Sequence, residues 1–270
     1  MFAVASRGGL RRGAAAAGRS TRTMSNDKII HSNVGKLHPS TTTLLICDIQ
    51  ERFRPLIYNM ETVISTSKFL SGVANELDVP IVVTQQYTKV FGPTITDAIF
   101  DPTLLDPQPP LSAVVKQQEE VTKEDEDGNT TTKSKRMIPI FDKKTFSMLT
   151  PEVATHLSTL NSSHTTTPSS SSSSYILLGI EAHVCLQQTA LDLIELGHDV
   201  HIITDGVSSQ NKYDRHIALQ RLNKCNGIYL TTAQSVVFML LQSADHPKFK
   251  VVSGLVKDHM TLKNEFSTNE

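Results

Sequence analysis

The sequence contains no tryptophan, and only 6% of its 270 residues are aromatic. Platforms for single-stranded nucleic acid are built by stacking bases on aromatic side chains, so there is little material for one. Basic charge is not in excess either, with 26 Lys and Arg against 27 Asp and Glu and a formal net charge of −1. Phosphate backbones are gripped by clustered cations; no nucleic-acid partner is expected. Cys47, Cys185 and Cys225 form no CxxC pair and no Cys/His comb of zinc-finger spacing, which speaks against a disulfide framework and a structural zinc site. No apolar run reaches the roughly 18 residues that would cross a membrane.

Cofactor signatures are missing as well. No G-x-G-x-x-G follows a strand, and there is no G-x-x-x-x-G-K-[ST], H-E-x-x-H or G-x-S-x-G. Without a glycine cradle for phosphates, neither a dinucleotide nor a nucleoside triphosphate is expected, and no cofactor is assigned. Any chemistry has to come from side chains.

What is present is an alternation of apolar runs and helical patterns. Leu44–Cys47 is a short apolar run that stops at Asp48. Apolar residues from Met60 to Leu77 then recur at helical spacing, and Pro80–Thr84 reads as a second strand. Further strands are predicted near 136–140, 175–178, 199–204 and 228–230, with helices between them. Thr231 and Gln234 fit a capping box before the apolar helix 236–241. Strand–helix–strand repetition is the mark of a parallel sheet covered on both faces. The expectation is an α/β, three-layer, doubly wound sandwich with a mainly parallel six-stranded sheet in the order 3-2-1-4-5-6.

The ends read differently. The first 26 residues carry no acid and are punctuated by Arg7, Arg11, Arg12, Arg19 and Arg22 in an Ala/Gly/Ser-rich setting, as in a transit peptide. The tail is expected over 1–37, the folded domain over 38–258 and a C-terminal tail over 259–270. A mitochondrial location follows from that opening, or a cytoplasmic one for a form starting at Met24. Two polar stretches, near 117–136 and 161–174, are too poor in apolar residues to pack and are expected as solvated, mobile insertions.

In a doubly wound fold the carboxyl ends of neighbouring strands converge on one crevice. Cys185 follows the fourth strand through a turn containing Gly179 and opens the next helix. Unpaired N–H groups there favour a thiolate and can receive an oxyanion, though a buried structural thiol is the competing reading. Asp48 ends the first strand and is suited to moving the thiol proton. Lys143 and Lys144 follow the third strand, and an ammonium from one of them would support both anions. Gln85, Gln86 and Tyr87 leave the second strand beside this crevice. Phe53, Gln85, Tyr87 and His183 are placed around a small substrate as walls and polar contacts, and Gln86 could add an amide donor, with packing as the rival role. Cys47, next to Asp48, is expected on the opposite side of its strand, in the core. No histidine spacing supports a metal.

Taken in order, LLICDIQERFR (44–54), VVTQQYTKVFGPT (82–94), FDKKTFSMLTPEV (141–153), LLGIEAHVCLQQTALDLIELGHDVHIITDGVSSQ (177–210), DRHIALQRL (214–222) and TTAQSVVF (231–238) resemble the isochorismatase-like cysteine hydrolase family, in its isochorismatase domain-containing branch. The resemblance spans about residues 38–258. It implies a parallel α/β sandwich with an Asp-Lys-Cys triad falling on Asp48, Lys143 and Cys185, the aromatic-Ser pair that follows selecting Lys143 over Lys144. It also implies a cis peptide between Ile180 and Glu181, oxyanion donors at the N–H groups of Ala182 and Cys185, and a homo-oligomer. Nicotinamidases in this family carry a metal-binding histidine cluster after the second strand, whereas QQYTKVFGPT has no histidine. Vinyl-ether-cleaving isochorismatases commonly lack the cysteine that this chain keeps. The function implied is hydrolysis of a small amide-like substrate through a covalent thiol intermediate. The alternatives are vinyl-ether hydrolysis and a non-enzymatic interaction protein on the same fold.

Overall fold

The computed structural model describes residues 34–107, 118–124, 130–164 and 173–266. In chain order these form β1 (Thr42–Cys47), α1 (Met60–Glu76), β2 (Ile81–Gln86), α2 (Thr88–Phe91), β3 (Leu105–Asp106), β4 (Gln118–Glu124), β5 (Thr130–Arg136), β6 (Ile138–Lys143) and α3 (Pro151–His164). They continue with β7 (Ser174–Gly179), α4 (Gln187–Glu195), β8 (Asp199–Val207), α5 (Lys212–Leu222), β9 (Ile228–Thr231), α6 (Ala233–Leu241) and α7 (Phe249–Met260).

The main sheet runs β3-β6-β2-β1-β7-β8-β9 with every ladder parallel. Six of these strands take the order expected from sequence; the seventh, β3, is a two-residue edge with no apolar run to announce it. β1 and β7 are buried along their whole length, as strands covered on both faces must be. From β1 the chain winds through α1 to β2 on one side, and from β7 through α4 to β8 on the other. Right-handed crossovers therefore set α1 and α4 on opposite faces. The winding reverses between β1 and β7, and that is where a doubly wound sheet opens a crevice at its carboxyl edge.

Several boundaries differ from the expectation. The segment 117–136 carries an antiparallel ribbon, β4 with β5, apart from the main sheet; Thr130–Thr132, Val121 and Thr122 are β-branched, and pairing satisfies their backbone groups. The polar stretch 161–174 is narrower, because α3 continues to His164 and β7 starts at Ser174. Residues 165–172 lie outside the described residues. So do residues 1–33, on which the transit-peptide expectation rests, although Leu37 is already buried in the core. The C-terminal stretch is packed rather than free: α7 runs to Met260, and Phe266 is buried against Tyr58 and beneath the Arg215 guanidinium. No helix among the described residues is long and apolar enough to cross a membrane.

Candidate active site

Asp48 is the first residue beyond β1, and its backbone turns left-handed at φ +51. Aspartate tolerates that region better than most residues. Its N–H still donates to Thr84 O on β2 at 3.1 Å, which keeps it tied to the sheet. One carboxylate oxygen, Oδ1, accepts from Thr84 Oγ1 at 2.8 Å. The other, Oδ2, lies 2.6 Å from Lys143 Nζ, with both side chains removed from water.

Lys143 is the last residue of β6, not a loop residue. Its Nζ donates also to Gln86 Oε1 at 2.6 Å, Phe146 O at 2.9 Å and Thr145 O at 3.2 Å. Burial works against this ammonium, but the acidic groups around it, Cys47, Asp48 and Cys185, outweigh burial and push its proton affinity up. Lys144 points elsewhere, with Nζ over the exposed Tyr87 ring at 5.5 Å. Strand alternation separates the two lysines: position 143 faces in and 144 faces out.

Cys185 lies in a π-helical turn, Ala182–Leu186, between β7 and α4, and is 8% exposed. Gly179 starts the approach to it with φ +117, and a Cβ there would collide with the carbonyl oxygen of Cys47. Only glycine fits. The peptide bond from Ile180 to Glu181 is cis. Thr189 of α4 links the cysteine turn to the lysine loop, since its Oγ1 donates to Cys185 O at 2.7 Å and accepts from Met148 N at 2.9 Å.

Two expectations need correction here. Ala182 N–H donates to Ser208 O at 2.8 Å, so it is committed to holding the turn against the segment after β8 and is not a free oxyanion donor. The preceding Glu181 N–H makes no such bond among the described residues. Cys47 is fully buried, as expected, but it does not lie apart from the site: it is near enough to Cys185, Asp48 and Lys143 to interact with them electrostatically. The left-handed turn at Asp48 breaks the strand's alternation, so 47 and 48 reach the same region. Burial pushes the Cys47 thiol well up, and its neighbours Cys185 and Asp48 push the same way. Cys47 is therefore held as a neutral thiol.

The expected wall residues divide. Gln85 belongs to β2 and turns away from the ion pair; its Oε1 accepts from Thr94 N and Thr94 Oγ1. Its neighbour Gln86, one step along the strand, is the amide that reaches Lys143. Phe53 stacks on Phe91 with ring centroids 4.9 Å apart. Tyr87 follows β2, with its N–H donating to Lys143 O at 2.8 Å. His183 is half-buried, with Nδ1 3.1 Å from Ser209 Oγ and Nε2 4.0 Å from Asp214 Oδ2. Gln86 is expected beside the crevice with Gln85, but as a substrate contact rather than a partner of Lys143. Thr84 and Cys47 joined the site without a sequence signal, because each depends on which neighbour its strand meets. Among the described residues no group of three or more His, Cys, Asp or Glu side chains is arranged to hold a metal ion.

Comparison with known proteins identifies the family. The family profile for the isochorismatase domain matches residues 42–234. The chain is 37% identical over 235 residues to the secreted isochorismatase effector Isc1 of Phytophthora sojae, covering 87% of this chain and 93% of that protein. It is 36% identical to isochorismatase family protein 1B of Dictyostelium discoideum, covering 83% and 90% of the two chains. Among solved structures it is similar to the MAR1 ribonuclease from Caenorhabditis elegans, with 32% identity, a TM-score of 0.61 and coverage of 82% and 92%. A single domain profile over most of the folded chain, with relatives matched along nearly their whole length, leads to one conclusion: the chain belongs to the isochorismatase-like hydrolase family.

Proposed function

We propose that this protein is a cysteine hydrolase of small amide-like substrates, with Cys185 as nucleophile, Asp48 as proton carrier and Lys143 as their electrostatic support. The observation that carries the reading is the water-excluded Asp48–Lys143 pair at 2.6 Å, in the switch-point crevice and within the field of Cys185. A buried pair of this kind adds little net stability compared with apolar packing, so its placement beside a thiol favours a chemical role.

In the proposed reaction Asp48 takes the Cys185 proton as Sγ bonds to the substrate carbonyl carbon. The resulting oxyanion is received by backbone N–H groups of Glu181 and Cys185. Collapse of the adduct breaks the C–N bond, and Asp48 returns the proton to the leaving nitrogen. A water then attacks the thioester, giving its proton to Asp48; the C–S bond breaks, releasing the acid, and the thiolate recovers the proton. Lys143 stays an ammonium throughout. Phe53, Tyr87 and His183 are proposed around the substrate; Gln85 is withdrawn from that set.

The test is alkylation of the native protein with iodoacetamide, mapped by peptide mass, beside hydrolysis of a panel of small amides. Labelling is expected at Cys185 and not at Cys47, and hydrolysis is expected to vanish in Cys185→Ala. Hydrolysis unchanged in that variant would end the covalent mechanism; no labelling and no hydrolysis at all would favour a binding role on the same fold. Similarity to a ribonuclease favours one rival, RNA cleavage, and an RNA oligonucleotide belongs in the panel. The homo-oligomer implied by family resemblance is likewise proposed, to be measured by light scattering on the eluting species.

A further inference from the structure

Gln50 and Gln86 take no part in the reaction just described, yet both are tied into its centre. Gln86 on β2 and Lys143 on β6 are register partners in the parallel ladder, so their side chains stand side by side. Gln86 Oε1 accepts from Lys143 Nζ at 2.6 Å, as close as the carboxylate of Asp48. The other end of the amide, Nε2, donates to Lys144 O at 2.9 Å, which fixes which end faces the ammonium.

The backbone at 86 is itself clamped. Gln50 is wholly buried, two residues past Asp48. Its Oε1 accepts from Gln86 N at 2.7 Å, and its Nε2 donates to Gln86 O at 3.0 Å and Gly92 O at 2.6 Å. One amide thus imitates a strand partner for residue 86 and holds the loop up to residue 92 beside it. Each of these groups would be costly to leave unpaired in this setting.

An ammonium has three protons, and four oxygens surround Lys143 Nζ: Asp48 Oδ2, Gln86 Oε1, Thr145 O and Phe146 O. Only one of the four carries charge. We infer that Gln86 is a positioning residue for the Asp48–Lys143–Cys185 centre, with Gln50 holding it in place. Its neutral oxygen keeps the ammonium charged and aimed while leaving Asp48 as the one carboxylate that shares it. A second carboxylate at this point would compensate the ammonium a second time and add a repelling charge near Cys185, making the thiolate harder to form. This inference rests on the proposed role of Cys185 as a nucleophile supported by Lys143.

Isosteric replacement separates electrostatic positioning from mere packing. The rate of Cys185 alkylation by iodoacetamide is followed against pH in the full-length protein, in Gln86→Glu, Gln86→Met and, as reference, Lys143→Met, each checked by urea unfolding. Gln86→Glu keeps the shape and the acceptor, so a packing role predicts no change in the pH profile. The expected result is an alkaline shift of the midpoint by about one pH unit, a tenfold lower thiolate fraction below it, in the same direction as Lys143→Met. Gln86→Met is expected to slow alkylation severalfold at neutral pH. An unshifted midpoint in folded Gln86→Glu overturns the inference; if that variant does not fold, a Gln86→Met profile matching the native one overturns it equally. If native protein and Lys143→Met share one midpoint, the proposed support of Cys185 by Lys143 falls, and the role of Gln86 falls with it. If only the Gln86 variants are unshifted, the hydrolase reading stands and this inference alone fails.

Discussion

Asp48 and Lys143 each sit where an isolated charge would be expensive, and each makes the other tolerable. Removing one partner from such a pair commonly costs about 3–5 kcal/mol, because the remaining charge is stranded. Lys143→Ala is therefore expected to lower the urea midpoint strongly, whereas Lys144→Ala, which loses only an exposed contact over Tyr87, is expected to stay within about 0.5 kcal/mol of the native protein. Equal losses in the two variants would contradict the burial that separates them. The choice between these adjacent lysines came from the resemblance; the physical reason is strand parity, visible only once β6 is known to extend to 143. Gly179 was more legible, since a turn passing close to another backbone calls for glycine, and here the backbone is that of Cys47.

Among the secondary-structure elements, the start of α6 shows how a local pattern can be displaced by one position. The doublet Thr231–Thr232 precedes an apolar helix, and the spacing to Gln234 selects Thr231 as cap. In the fold Thr231 is the last residue of β9, so its backbone belongs to the ladder. Thr232 is the first residue free to turn, and its hydroxyl accepts from Ser235 N. Thr232→Ala is expected to cost about 1 kcal/mol in urea unfolding, as lost caps do, and more than Thr231→Ala; the opposite ranking would restore the cap to 231. α7 shows the reverse case: its apolar residues are helically spaced, and the tail expected over 259–270 begins inside it and includes the packed Phe266. Phe266 beyond it closes over Tyr58 and Arg215. Phe266→Ala should cost about 3 kcal/mol, in the range for large-to-small changes at packed aromatics, and a variant as stable as the native chain would make that segment a tail after all.

For the molecule as a whole, acid sensitivity follows from buried imidazoles. His201 on β8 is stacked on Tyr229, and burial pushes its pKa down to about 4 from an ordinary value near 6.5. Burial lowers His156, His198 and His259 as well. Between pH 6.5 and 4 the unfolded chain binds protons that the folded chain refuses, so this stability is fully present above about 6.5 and is lost as the pH falls toward 4. His201 alone should make the protein about 2 kcal/mol less stable at pH 5 than at pH 7. Urea unfolding at the two pH values should show a smaller difference in His201→Leu, and an unchanged difference would mean that this imidazole charges without penalty.

The six principal strands, their alternation with helices and the acid and thiol at two strand ends are carried by residues close together in the chain. The strand order is the default of a doubly wound fold once that alternation is seen. Apolar runs of strand length, helical spacing and a carboxylate abruptly ending a buried run need no knowledge of distant partners. The partnerships across the sheet are of another kind. That residue 86 rather than 85 meets Lys143 depends on the β2–β6 register. That Cys47 comes near Cys185 and Lys143 depends on how β1 and β7 are paired and on the left-handed turn at Asp48. That the Ala182 N–H is occupied depends on Ser208, 26 residues further along the chain. Each of these is a contact between segments that local pattern leaves free to slide past one another, and only close packing of the folded chain removes that freedom.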